Sequence, residues 1–204
     1  MWEKAEEYLI KDKYLTSLVR KYSPCKIIPS RKGLYFSDLV ESILSQQLST
    51  RVANVIIERV RVGLGNDLSP TNIIGYPEDK FRKHGVSWAK IKYIKDLGKK
   101  ANRGALIKKS GPDSLVLSKI NKLVDEDIIA ELTKVKGIGR WTAEMFLMFS
   151  LARPDIFPVD DLGIRKAMEK LTGKNMNQGE LIIFSQRWVP YRTVASWYIW
   201  RLID

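Results

Sequence analysis

Apolar residues recur through most of this chain at intervals of three and four, and nowhere do they alternate with polar ones for more than a few residues. A period of that kind buries its apolar side only when helices pack on helices, so the expected fold class is all-α. Phe36, Leu39, Val40, Ile43 and Leu44 mark one helix, and Val52, Val55, Ile56 and Val60 mark a second that Ser49 or Thr50 can cap. The same reading predicts one helix over residues 2–22, closed by Ser23-Pro24, and others over 87–102 with Ser87 as cap, 114–123 and 125–135. Helical spacing resumes over 140–150 and, after a loop bracketed by Pro154 and Pro158, over 162–171; a last helix follows Pro190.

A chain of 204 residues, 45% of them hydrophobic, can bury a real core in one domain or in two small helical lobes. Its formal net charge of +12 points to a polyanionic partner. The excess is concentrated: residues 80–109 carry eleven Lys and Arg against the single acid Asp96. Such a run is either a solvated helix face or a surface that meets phosphates. Cys25 is the only cysteine and His84 the only histidine, which excludes an internal disulfide, a cysteine zinc site, a four-cysteine iron–sulfur cluster and multi-histidine metal chemistry. Charged residues interrupt every apolar stretch, including the first fifteen residues, so neither a signal peptide nor a membrane span is expected. The expectation is a cytoplasmic protein, nucleoid-associated in a prokaryote.

Lys136-Gly137-Ile138-Gly139-Arg140 breaks the helical pattern between two helices. Glycines at this spacing allow positive φ and let bare backbone approach a bulky partner, while the following helix starts with unpaired N–H groups that suit an anion. A Gly-x-Gly also simply terminates helices, and that reading stays open. Downstream, Asp160 and Asp161 stand side by side ahead of the apolar run from Leu162, where either can act as a helix cap.

Three strings carry a specific resemblance. The hairpin with Gly139-Arg140-Trp141-Thr142-Ala143, followed by Phe157-Pro158-Val159-Asp160-Asp161, resembles the helix-hairpin-helix and Gly/Pro-rich aspartate loop of one DNA glycosylase superfamily. Within it, Gly139-Arg140-Trp141-Thr142-Ala143 and the C-terminal stretch from Arg187 to Trp200 resemble the 3-methyladenine DNA glycosylase II branch, and together with Ile43-Leu44-Ser45-Gln46-Gln47-Leu48-Ser49 they extend the likeness over residues 36–201. The resemblance implies a two-lobed helical fold with the hairpin at the interlobe cleft. In those terms residues 1–30 form an N-terminal helix packing on the C-terminal lobe, 31–125 a lobe with the wedge loop, and 126–204 the lobe with the hairpin and catalytic aspartate.

It also implies roles. Asp161 matches the catalytic aspartate, with Asp160 as the neighbouring alternative. Trp141, Met145 and Trp200 match pocket-lining positions, although the branch often has an aromatic residue where this chain has Met145. Gln47 matches the wedge that enters the duplex, with Gln46 bracing the loop. Gln46, Gln47, Lys136, Gly137, Ile138, Gly139, Arg140 and Thr142 are the DNA-contacting set. Bifunctional members carry a nucleophilic lysine at the hairpin position occupied here by Trp141, so no strand-nicking step is implied. The implied substrate is double-stranded DNA with damaged bases, alkylated purines foremost, acted on by a monomer without a membrane. No cofactor or metal is implied beyond a monovalent cation at the hairpin. Two rivals remain at this level: a glycosylase for deaminated or oxidised bases, and a non-enzymatic DNA-binding module.

Overall fold

The computed structural model describes residues 1–106 and 117–203. Among them there is no strand: helices follow one another in the order α1 Glu3–Leu9, α2 Thr16–Tyr22, α3 Tyr35–Ser45, α4 Thr50–Gly63, α5 Pro70–Gly75, α6 Glu78–Lys83 and α7 Trp88–Leu106. Then come α8 Asp125–Leu132, α9 Arg140–Met145, α10 Leu162–Thr172, α11 Gln178–Ser185 and α12 Arg192–Trp200. The chain divides into two compact units, one of residues Ser30–Phe146 and one that joins Met1–Pro29 to Leu147–Asp204.

In the Ser30–Phe146 unit, Phe36, Leu39, Val40, Ile43 and Leu44 are buried along one side of α3, as their spacing requires. That side packs on α4 and α7. Helix α7 buries Ile91, Ile94 and Leu97, and its Gly98 lets α5 come close, since a side-chain carbon there would lie 3.1 Å from Ile74. Ser49 caps α4 by accepting the Val52 N–H. Ser87 accepts the Lys90 N–H at the start of α7.

In the other unit, Leu9, Leu15, Met168, Trp188 and Tyr198 are fully buried in one apolar cluster. Helices α1 and α2 pack against α12. Glu6 stitches them together, accepting the Cys25 N–H at 2.6 Å and the Tyr198 hydroxyl. Burial pushes the Cys25 thiol up to about 11.

Several elements differ from the sequence expectation. Residues 2–22 form two helices rather than one. Asp12 accepts the Tyr14 N–H and the Thr16 hydroxyl donates to the Ile10 and Asp12 carbonyls, so local side-chain bonds compete with the helix ladder and turn the chain. The helix expected at 114–123 falls partly outside the described residues, and 3-10 turns occupy Leu117–Lys122. The helical run after the hairpin changes character, with a π-helical turn over Phe146–Ser150. The boundary expected between residues 125 and 126 lies after Phe146 instead. The hairpin is bonded to Gln46, just past α3, and to Asp96 of α7, which keeps it with the helices that precede it.

Candidate functional site

The hairpin between α8 and α9 is built around two glycines with different reasons to be there. Gly137 has φ 82°, and a side-chain carbon on it would lie 2.1 Å from a ring carbon of Tyr93, a residue of α7. Backbone conformation and the aromatic ring beneath it therefore both demand glycine. Gly139 is extended, with φ −92° and ψ 176°, and among the described residues nothing beyond its chain neighbours lies within 4 Å of its would-be side chain. The protein itself does not require glycine at 139. Ile138 between them is buried and plugs the hairpin into the core.

Lys136 is exposed, and its N–H donates to Asp96 Oδ2 at 2.9 Å. Burial tends to raise the Asp96 pKa, but the Lys100 ammonium and the Lys136 N–H outweigh it and hold the carboxyl below its ordinary value. Arg140 is committed within the hairpin, donating to both oxygens of Glu126 and, through Nε, to Glu144 at 3.0 Å. The Arg140 guanidinium holds Glu126 below the usual carboxylate range, and Glu126 in turn raises Arg140. Thr142, expected at the DNA surface, is 3% exposed and accepts a bond from Gln46, so its role is internal. Trp141 is 38% exposed and Met145 is half-buried.

The Gln46–Gln47 loop is tied to this hairpin across the unit. Gln46 donates its amide to the Gly137 carbonyl at 2.9 Å and to Thr142 Oγ1 at 3.3 Å. Gln47 is exposed and held at φ 57°, in the left-handed region that residues other than glycine seldom occupy. Leu48 beside it is 38% exposed.

Asp161 belongs to the other unit. It is the N-cap of α10, and its Oδ1 accepts the Ile164 N–H at 2.7 Å and the Trp200 indole N–H at 2.9 Å. Gly163 leaves the room for this pair, since a side-chain carbon there would lie 2.9 Å from Asp161 Oδ1 and 3.2 Å from Trp200 Nε1. The Phe149 ring sits 6.0 Å from that of Trp200, tilted by 30°. Asp160 does not cap α10; it accepts the Gln178 amide at 2.5 Å at the start of α11. The two adjacent acids are thus separated in task, with Asp161 aimed at an indole and Asp160 at a helix terminus.

The basic run of residues 80–109 is only in part an outward surface. Lys90 donates to the Leu44 and Gln46 carbonyls, Lys95 to the Ile74 and Tyr76 carbonyls, and Lys100 to Asp96. Arg82 donates to the Val86 carbonyl and lies over the Trp88 ring. Helix C-termini expose carbonyls that attract ammonium groups, and two lysines of α7 answer that demand inside the fold. Burial accordingly lowers the pKa values of Lys90 and Lys95. Lys83, Lys92 and Lys99 are exposed, while Lys108 and Lys109 lie outside the described residues.

Sequence reasoning missed Tyr93, Lys90, Asp96, Phe149 and Gly163. Asp96 carried a signal as the lone acid of a basic run, and Phe149 follows Trp141 and Met145 at four-residue steps. The others became visible only through contacts between distant residues.

Comparison with known proteins fits this arrangement. Residues 40–192 match the model of the HhH-GPD superfamily of base excision DNA repair proteins. The chain is 33% identical to DNA-3-methyladenine glycosylase 1 of Schizosaccharomyces pombe, an alignment covering 93% of this chain and 80% of that protein. It superposes with a TM-score of 0.81 on the structure of S. pombe 3-methyladenine DNA glycosylase (Mag1) in complex with abasic DNA, at 32% identity, covering 97% of this chain and 95% of that one. A DNA-3-methyladenine glycosidase from Bacillus halodurans gives 0.80 at 31% identity, covering 98% and 88%. With the family model spanning most of its length, the chain belongs to the HhH-GPD superfamily of base excision DNA repair proteins.

Proposed function

We propose that this protein is a monofunctional DNA glycosylase that flips an alkylated purine of the 3-methyladenine type out of the duplex and hydrolyses its N-glycosidic bond. The product is an abasic site in an uncut strand. The relatives named above are 3-methyladenine glycosylases, and one of them was captured on abasic DNA, the product such a reaction leaves. The proposed location is the cytoplasm, at the nucleoid in a prokaryotic cell, a reading supported by a DNA substrate; the described residues hold no helix long and apolar enough to cross a membrane.

The observation that carries the mechanism is the double fixing of Asp161 Oδ1 by a peptide N–H and an indole N–H. As the base departs, positive charge builds on the deoxyribose, as in the oxocarbenium-like transition state of glycoside hydrolysis. A carboxylate already held in place stabilises that charge without reorganising, and can orient or deprotonate the attacking water. An alkylated purine carries its own positive charge and leaves as a neutral base, so the enzyme needs no general acid. Trp141 and Met145 contribute the apolar and aromatic surface on which an electron-poor base stacks. Gln47 fills the gap the flipped nucleotide leaves. The open backbone at Gly139 meets a phosphate. Trp141 cannot form a Schiff base, so strand nicking does not follow.

Chromatography of the free bases released from duplexes carrying methylated, deaminated or oxidised bases tests this reading. Release of 3-methyladenine ahead of hypoxanthine and 8-oxoguanine supports it. A reversed order would replace it with the reading of a glycosylase for deaminated or oxidised bases, and release of no base at all would leave a DNA-binding module.

A further inference from the structure

One cation of α7 faces inward, at the loop that carries Gln47. Lys90 Nζ lies 2.7 Å from both the Leu44 and the Gln46 carbonyl oxygens, at the C-terminal end of α3. That end carries the negative pole of the helix and carbonyls without helical partners, so an ammonium there satisfies two acceptors at once. The chain then reverses through Gln47 at φ 57°, a conformation that persists only where its surroundings hold it. On the far side of the reversal's base, the Gln46 amide is bonded to Gly137 and Thr142 of the hairpin. Helix α7 also holds the hairpin itself, through Tyr93 beneath Gly137 and Asp96 on the Lys136 N–H. Lys90, Tyr93 and Asp96 follow at three-residue steps, so one side of one helix sets both the loop and the hairpin.

We propose that Lys90 is a positioning residue for base flipping: by clamping the Leu44 and Gln46 carbonyls it holds Gln47 in its left-handed, outward conformation before DNA arrives. It does this in place of the phosphate contact that its position in a basic run suggests. The inference rests on the reading of the chain as a base-flipping glycosylase. Without the clamp the loop relaxes, and the ordering of Gln47 falls on the step in which it enters the duplex. A single-stranded substrate, whose base needs no extrusion from a stack, makes no such demand.

The test compares Lys90→Met and Lys90→Arg with the wild type in the full chain, measuring single-turnover base release from one oligonucleotide as duplex and as single strand, and duplex affinity against salt. Loss of positioning is expected to slow release by Lys90→Met from the duplex about tenfold, with a clearly smaller loss on the single strand. Lys90→Arg, which still donates to two carbonyls, restores most of the duplex rate. The log–log salt slope stays that of the wild type. In a Gln47→Gly background, where the left-handed conformation is freely adopted and the inserted side chain is gone, Lys90→Met has little further effect.

A salt slope reduced by about one would make Lys90 a phosphate contact and overturn the proposal. Equal losses on both substrates, full duplex activity of Lys90→Met, or additive losses in the double variant would overturn it as well. Wild-type protein inactive on both substrates would instead remove the glycosylase reading, and the proposal with it.

Discussion

The Gln46–Gln47 loop with its hairpin and the Asp161 site solve opposite positioning problems. In the first, side chains hold backbone: Lys90 and Gln46 donate to main-chain carbonyls, and Asp96 accepts a main-chain N–H. In the second, backbone and an indole hold a side chain, both donating to one oxygen of Asp161. Under the proposed function the difference follows from what each region has to meet. A polyanion is gripped by shaped backbone and open space, which tolerate small errors, whereas a developing cation responds steeply to where a single negative charge sits. Substitutions in the two regions should therefore fail in different ways.

The largest effect is expected at Asp161. Asparagine keeps the cap on α10, because its amide oxygen still accepts the Ile164 N–H, but it removes the charge. Asp161→Asn should cut single-turnover base release by about a thousandfold or more while affinity for duplex survives. Loss of binding and activity together would erase the division between a gripping and a reacting region. If Asp160→Asn proves the inactive variant, the catalytic role belongs one residue earlier.

Next comes Gly137. Alanine there meets both a positive φ and the Tyr93 ring, and should lower folding stability by about 2 kcal/mol in chemical denaturation. Trp200→Phe sharpens the other side, since it keeps an aromatic ring and removes only the N–H donor to Asp161. A fall in kcat of about tenfold with KM little changed is expected if the indole orients the carboxylate. A rise in KM alone would make Trp200 a wall of the base pocket and nothing more.

Gly139→Ala gives the smaller, contrasting glycine effect. With no atom of the described residues beyond its chain neighbours within 4 Å, the added methyl should leave stability unchanged but weaken duplex binding by several fold if a phosphate approaches there. The smallest effect is on acid stability. Asp96 is held below its ordinary value of 3.8, so it contributes stability above that pH and loses it as pH falls through the lower folded value. Thermal midpoints should converge between wild type and Asp96→Asn on titration below about pH 4.

The two regions also differ in how far they could be read from sequence. Helices α3 and α10 follow from apolar spacing, whereas the sequence alone leaves Asp160 and Asp161 equivalent and the choice of Asp161 comes from the family resemblance. The pairing of Asp161 with Trp200 spans 39 residues, and that of Gln46 with Gly137 spans 91, so no local pattern announces either. Helices α5 and α6, of six residues each, are too short to show a period. A capping box of Asn177 and Glu180 did mark α11, which periodicity alone passed over. Charge counting leaves residues 80–109 open for a physical reason: a lysine with a flexible stem serves a buried helix end as readily as a phosphate, and composition does not distinguish them.

In the proposed reaction one fixed carboxylate releases the base by hydrolysis, with no amine attacking the sugar. This is tested most directly by following base release and strand scission in one reaction, on a duplex bearing a single alkylated purine, with and without borohydride. Hydrolysis by Asp161 gives free base and an intact strand that breaks only after hot alkali, with no protein trapped on the DNA. Efficient borohydride trapping at the rate of base release would contradict it, and would assign the chemistry to a lysine.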